Sequence, residues 1–238
     1  MNNDYGKLYL IPSLLGEVEP LEVLPLAVKK ILDLADYFIV ENEKSARAFI
    51  KKVLPSKNQA ELEIYVLNKY TEPTEYQQFL EPCLQGNHMG LISEAGAPAV
   101  ADPGAEIVQM AHRKEIQVVP LSGPSSIFLA LMGSGMNGQN FAFHGYLPID
   151  KKERVAKIKS LEKLSRQYGQ SQIFMETPYR NAKLFQSLVE HCHPETNLCI
   201  ARQLTLQDEL IKTKSISWWE SHPPNLEKRP CIFILDAN

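Results

Sequence analysis

The chain has 238 residues, 44% of them apolar and 22% charged, which is enough for a buried core and too apolar for a disordered chain. Its 25 Lys and Arg against 28 Asp and Glu leave a net charge of −3, which excludes a general nucleic-acid coating protein or a polybasic membrane binder. Four cysteines with no C-x-x-C pair exclude a disulfide scaffold and the common zinc ribbons, and suit a reducing, cytoplasmic compartment.

Short β-branched runs alternate with helical patterns along the chain. Leu8 to Ile11 reads as a strand, and the apolar spacing from Pro20 to Ala35 as one helix. Tyr37 to Val40 is a second strand, followed by a helix from Ser45 to Val53. Ile64 to Leu67, with a helix through Tyr76 to Leu84, forms a third pair. Met89 to Ile92, with a helix from Gly104 to Arg113, forms a fourth. Gln117 to Pro120 is a fifth strand. Ser125 to Met132 reads as a helix, Phe141 to Tyr146 as a strand, and Lys151 to Gln167 as a charged amphipathic helix. Ile173 to Met175, a helix from Asn181 to His191, Leu198 to Ala201 and Ile232 to Leu235 complete the pattern.

Strands separated by helices imply an α/β fold with mostly parallel or mixed sheets. The turn-rich segment Pro120–Pro124 suggests two α/β domains, 1–120 and 121–238. Residues 1–120 hold 11 Lys and Arg against 17 Asp and Glu, and the remainder hold 14 against 11. The helix at 151–166 carries much of the second domain's positive charge: Lys151, Lys152, Arg154, Lys157, Lys159, Lys163 and Arg166. It reads as a solvated face or as a surface for RNA phosphates. The polar start and the shortness of the most apolar stretch, Ile127 to Met132, suggest neither a signal peptide nor a membrane span.

Ligands in open α/β sheets bind beyond the carboxyl ends of the strands, so five loops are candidates. They are Pro12–Glu17, Val40–Lys44, Ile92–Gly104, Ser122–Ser126 and Met175–Arg180. The third is dense in small residues that let a ligand approach the backbone closely. Its Asp102-Pro103-Gly104 also reads as a helix start. The fifth brings Glu176, Tyr179 and Arg180 together. His191-Cys192-His193 looks like a metal cluster, but neighbours at a helix end do not converge on one ion, so no metal is expected.

Together these loops resemble the tetrapyrrole (corrin/porphyrin) methylase superfamily. The motifs that carry the likeness are Leu91–Pro98 with Asp102–Gly104, Ser122–Ser125, Phe143–Pro148, Glu176–Arg180 and Ala201–Thr205. The chain is most similar to the bacterial branch that methylates a cytidine 2′-hydroxyl of 16S ribosomal RNA. The resemblance implies a cleft between two domains that binds S-adenosylmethionine (SAM). It places Leu14, Leu15, Gly16, Glu94, Ala95, Gly96, Ala97, Ser125, Ser126, Met175 and Glu176 around that cofactor. It implies a homodimer and ribosomal RNA as partner. This chain departs from the branch at Ser13-Leu14-Leu15-Gly16-Glu17, at Glu41-Asn42-Glu43-Lys44, at Glu94 and Ala97, at His144 and at Gln203. Candidate bases for the acceptor hydroxyl are Glu41, His144 and Glu176. A small-molecule acceptor, or a silent SAM-binding protein, are the alternatives.

Overall fold

The computed structural model describes residues 4–68 and 70–237. The chain divides into two compact units that meet at Ser125/Ser126.

The first unit is built on β1 (Leu8–Ile11), β2 (Tyr37–Val40), β3 (Glu63–Val66), β4 (Met89–Ile92) and β5 (Val118–Pro120). They form one sheet in the order β3-β2-β4-β1-β5, with every pair parallel. β1 and β4 are buried at every position. Helices cover both faces of such a sheet, so its strands read as unbroken apolar runs rather than as alternation. Two separate apolar clusters follow, one containing Val28, Phe38 and Ile50 and the other Leu8, Leu80 and Ile107.

Two helices expected as single runs are broken. Pro20–Ala35 splits into α1 (Pro20–Val23) and α2 (Leu26–Leu34). Pro25 stands between them, has no N–H to donate and clashes with the preceding turn. Tyr76–Leu84 becomes two single turns, α4 (Pro73–Tyr76) and α5 (Glu81–Leu84). The others form as the spacing predicts, including α3 (Glu43–Val53), which Asn42 caps by accepting from the Ser45 N–H, and α6 (Gly104–Arg113).

The second unit opens with α7 (Ser126–Ser134), then β6 (Phe141–Tyr146), α8 (Lys151–Tyr168), β7 (Ser171–Glu176), α9 (Asn181–His191) and β8 (Asn197–Arg202). β9 (Leu210–Ser215), α10 (Ile216–Ser221) and β10 (Cys231–Asp236) end it. The sheet order is β6-β7-β10-β8-β9. β6 and β7 are parallel, and the remaining pairs are antiparallel. The sheet is mixed because β10 inserts between β7 and β8. β9 and α10 were not foreseen. β9 sits at a sheet edge with Lys212 and Lys214 exposed, and edge strands carry such charges instead of an apolar run.

α8 shows why its sequence is both charged and anchored. Asp150 caps it by accepting from the N–H groups of Lys152 and Glu153, and Gly169 ends it in the left-handed conformation. Ile158 and Leu161 are fully buried against Phe174 and Phe233 of the sheet. Glu162 is also buried, and its Oε1 accepts from the His193 N–H at 2.7 Å and the Thr196 hydroxyl at 2.6 Å. A buried carboxylate is tolerable only when satisfied in this way.

Candidate functional site

Strand order in the first sheet locates a crevice. The chain leaves β2 towards β3 and leaves β4 towards β5, in opposite directions, so their carboxyl ends part side by side. This is where open α/β sheets bind ligands. Glu41 follows β2 and Ser93-Glu94 follow β4. The Glu94 N–H donates to Glu41 Oε1 at 3.0 Å, and the Ser45 hydroxyl donates to Glu94 Oε1.

The loop after β1 joins them. The Ser13 N–H donates to the Gly96 carbonyl at 2.9 Å, which also accepts from the Ser93 hydroxyl at 3.2 Å. Gly96 has φ +71°, and a Cβ there would stand 3.1 Å from Leu15 Cδ2 and 3.4 Å from the Pro124 carbonyl. Only glycine takes this conformation without strain. These loops and α3 enclose a cavity of about 290 Å³ lined by residues that include Ser13, Leu14, Gly16, Ser45, Phe49 and Glu94. Ser13 is among the lining residues, but its side-chain oxygen is buried away from solvent and has no hydrogen-bond partner among the described residues. A buried hydroxyl left unpaired costs roughly 1–3 kcal/mol.

Asp102 holds the rest of the third loop. Its carboxylate accepts from the Ala99 N–H at 3.0 Å and the Gly104 N–H at 2.8 Å. Ala99 and Ala101 are both left-handed, at φ 65° and 62°, a conformation non-glycine residues hold only when their surroundings impose it. Burial raises the Asp102 carboxyl above its ordinary value, against these two hydrogen bonds. Burial also raises Glu41, and the nearby charges of Asp102 and Glu94 add to the effect. Glu41 is thus a carboxyl whose proton affinity is increased next to a ligand-sized cavity, the property a general base for a hydroxyl needs.

The second unit holds the other expected residues. Glu176 ends β7 and is buried. Its Oε1 accepts from the Thr177 N–H at 2.6 Å and from Arg180 Nε and Nη2 at 2.9 and 2.6 Å. That oxygen is committed to the turn that starts α9. His144 lies in a bulge of β6, where Phe143 pairs with Ile173 and Tyr146 with Met175, and Gly145 has φ 62°. A chain of amides fixes its ring. Asn140 Nδ2 donates to the Tyr168 carbonyl, Gln170 Nε2 to Asn140 Oδ1 and Gln172 Nε2 to Gln170 Oε1. Gln172 Oε1 therefore faces His144 Nε2, 2.7 Å away, and Nε2 carries the proton. Burial lowers the His144 pKa, partly offset by Gln172, and Lys157 lowers it further.

Of the residues expected around a cofactor, Leu14, Gly16 and Glu94 line the cavity, and Leu15 packs over Gly96. Ala95 is exposed and Ala97 half-buried beside them. Ser125 ends the first unit, and Ser126 opens α7, both half-buried. Met175, half-buried, precedes Glu176 in β7. Ser13, Ser45, Phe49 and Lys52 were not singled out from sequence. Ser45, Phe49 and Lys52 recur at i, i+4 and i+7, one face of α3, and that spacing was the available signal. In the Ala201–Thr205 motif, Gln203 and Thr205 are left-handed, at φ 51° and 69°. Arg202 Nε and the Thr205 hydroxyl there are buried without partners among the described residues. No group of three or more His, Cys, Asp or Glu among the described residues could hold a metal ion. No helix among them is long and apolar enough to cross a membrane.

Residues 7–217 match the family of tetrapyrrole (corrin/porphyrin) methylases. The chain belongs to that family and is a methyltransferase. Among relatives, it is 28% identical to ribosomal RNA small subunit methyltransferase I of Vibrio cholerae over 96% of this chain and 76% of the relative. It is 27% identical to the protein of the same name from Pasteurella multocida, over 100% and 81%. Among solved structures, the methyltransferase CobJ superposes with a TM-score of 0.65 at 16% identity, covering 97% of this chain and 94% of that one.

Proposed function

We propose that this protein transfers a methyl group from SAM to a ribose 2′-hydroxyl of small-subunit ribosomal RNA. The observation that carries the reading is the extent of the likeness to methyltransferases of that name, which runs through nearly the whole chain and over three quarters of theirs. The cavity supports a nucleoside-bearing donor. Its walls are largely apolar, with Ser13, Ser45 and Glu94 among the polar lining residues. Leu14, Leu15, Gly16 and the segment Glu94–Ala97 of the first unit would hold SAM.

When bound, SAM supplies a methyl group on a sulfonium centre, open to in-line displacement. The chain's part is to orient the acceptor and take its proton. Orientation contributes up to roughly 7–11 kcal/mol in the best cases. Glu41 is the favoured proton acceptor of the three candidates, because it stands at the crevice with a raised carboxyl pKa. Glu176 Oε1 is occupied by Arg180 and Thr177. The reading carries with it a homodimer acting in the cytoplasm.

The test is transfer from methyl-labelled SAM to small-subunit ribosomal RNA, transfer RNA and a tetrapyrrole in parallel. Label in the ribosomal RNA, recovered as a 2′-O-methyl nucleoside, is expected. Label in the tetrapyrrole alone would replace the acceptor. No label together with no thermal shift on adding SAM would leave a silent scaffold.

A further inference from the structure

The second unit carries a charge pattern that its own stability does not call for. Lys152, Lys159, Lys163 and Arg166 on α8 are all exposed. At 3.6 residues per turn they fall on one side of the helix, in a row roughly 21 Å long. None makes a side-chain hydrogen bond or ion pair among the described residues.

No acid interrupts the row. Glu153 lies off it, and Glu162 is buried and engaged with His193 and Thr196. An i,i+4 pair of like charges destabilises a helix by about 0.2–0.5 kcal/mol. Here Lys159 faces Lys163, and Lys163 faces Arg166. Lys152 also sits in the first turn, where the helix dipole disfavours a cation. The chain therefore tolerates repulsion in a row while its net charge is −3.

Three other cations of α8 do not belong to the row, and the first of them, Lys151, lies near the Glu190 carboxylate, whose pKa its charge helps to lower. Arg154 is structural: its Nη1 donates to the Ile149 carbonyl at 2.8 Å and its Nε to the Ser187 hydroxyl at 3.1 Å. Lys157 is half-buried on another side of the helix, near His144.

We infer that this row is a docking surface for the phosphate backbone of RNA. The occupant follows from charge complementarity: four unpaired cations along roughly 21 Å match consecutive phosphates of a polyanion, and phosphate neutralisation relieves their mutual repulsion. The inference rests on the proposed RNA substrate and names where the chain holds it.

The experiment is a salt series of RNA binding, using a small-subunit ribosomal RNA fragment and the full chain. The variant replaces Lys152, Lys159, Lys163 and Arg166 with Gln, and Lys157→Gln serves as the off-row control. Each phosphate contact contributes about 0.7–0.9 to the slope of log K against log salt. The quadruple variant should reduce that slope by about 3, and Lys157→Gln should not change it. Its thermal stability at low salt should equal or exceed wild type, and SAM binding should be unaltered. An unchanged slope would overturn the surface. So would loss of binding to assembled small subunits with binding to naked RNA intact, because that outcome assigns the row to a protein partner. Wild-type methylation of RNA with an unaffected variant sinks this surface and leaves the substrate standing. The expected slope change with no methylation of RNA by wild type does the reverse.

Discussion

The Glu94 N–H donates to Glu41 Oε1 across the carboxyl ends of neighbouring strands β4 and β2. The bond ties the two loops that flank the crevice, and it places a backbone donor on a carboxylate that burial and two nearby acids drive towards protonation. The tie between the loops and the proposed proton acceptor are thus the same residue, and the two roles can be separated by substitution.

Glu41→Gln keeps an oxygen for the Glu94 N–H and removes the charge. A carboxyl whose folded pKa lies above its unfolded value adds stability at low pH that is lost as pH rises through the folded value. The variant should therefore lose that part of the acid-to-neutral decline and be at least as stable as wild type at neutral pH. Denaturant unfolding across a pH series measures this. If Glu41 is the base, methyl transfer should fall by about 10²–10⁴-fold. Lower stability at neutral pH with full activity would show that the carboxylate serves the loop alone.

Gly96→Ala should weaken SAM binding. The left-handed conformation costs an alanine roughly 1–2 kcal/mol, and its Cβ would press on Leu15 at 3.1 Å. Gly135 supplies the control, since it has a similar φ of +70° but nothing within 4 Å of a Cβ. Gly135→Ala should lower thermal stability by a similar amount and leave SAM affinity untouched. Equal SAM affinity in both variants would remove Gly96 from the binding wall.

Glu162→Ala should destabilise the protein by about 3 kcal/mol or more, since two charge-assisted bonds of about 1.5–3 kcal/mol each are lost and the buried Thr196 hydroxyl is left unpaired. The donors are the His193 N–H and the Thr196 hydroxyl. Urea unfolding reads the loss. A change below 1 kcal/mol would mean that water replaces the carboxylate.

Much of the fold is legible in the sequence because both sheets consist of short apolar runs with clear helical spacing between them. α6 begins at Gly104 and ends at Arg113, and α9 runs from Asn181 to His191, where periodicity puts them. The break at Pro25 was legible too, from the chemistry of proline, but the apolar spacing on either side masks it. β9 escapes because Lys212 and Lys214 face solvent at a sheet edge, so no apolar run marks it. At the site, the density of small residues in Ile92–Gly104 signals the crevice. The unpaired Ser13 hydroxyl and the Ser45–Glu94 bond depend on contacts between segments far apart in sequence. No local pattern encodes them.

The adjacent tryptophans of α10 should behave in opposite ways. Trp219 is buried, donates Nε1–H to the Leu198 carbonyl at 2.8 Å and packs edge-on against Phe185. Trp219→Leu empties part of the core and removes the indole donor, while the Leu198 carbonyl stays within the β8–β9 ladder. Large-to-small core replacements of an aromatic cost roughly 3–5 kcal/mol, and the loss here should approach that range. Trp218 is half-buried. His222 stacks on its ring at 4.2 Å, and the ammonium groups of Lys212 and Lys214 lie 5.2 and 5.8 Å from its centroid. Cation–π contacts at exposed sites contribute about 0.5–1 kcal/mol, so Trp218→Leu should cost only about 1–2 kcal/mol with packing included. Denaturant midpoints of the two variants, compared at constant m-value, measure the difference. A Trp218 variant as damaged as the Trp219 variant would mean that the outer ring, not the inner, anchors α10 to the sheet.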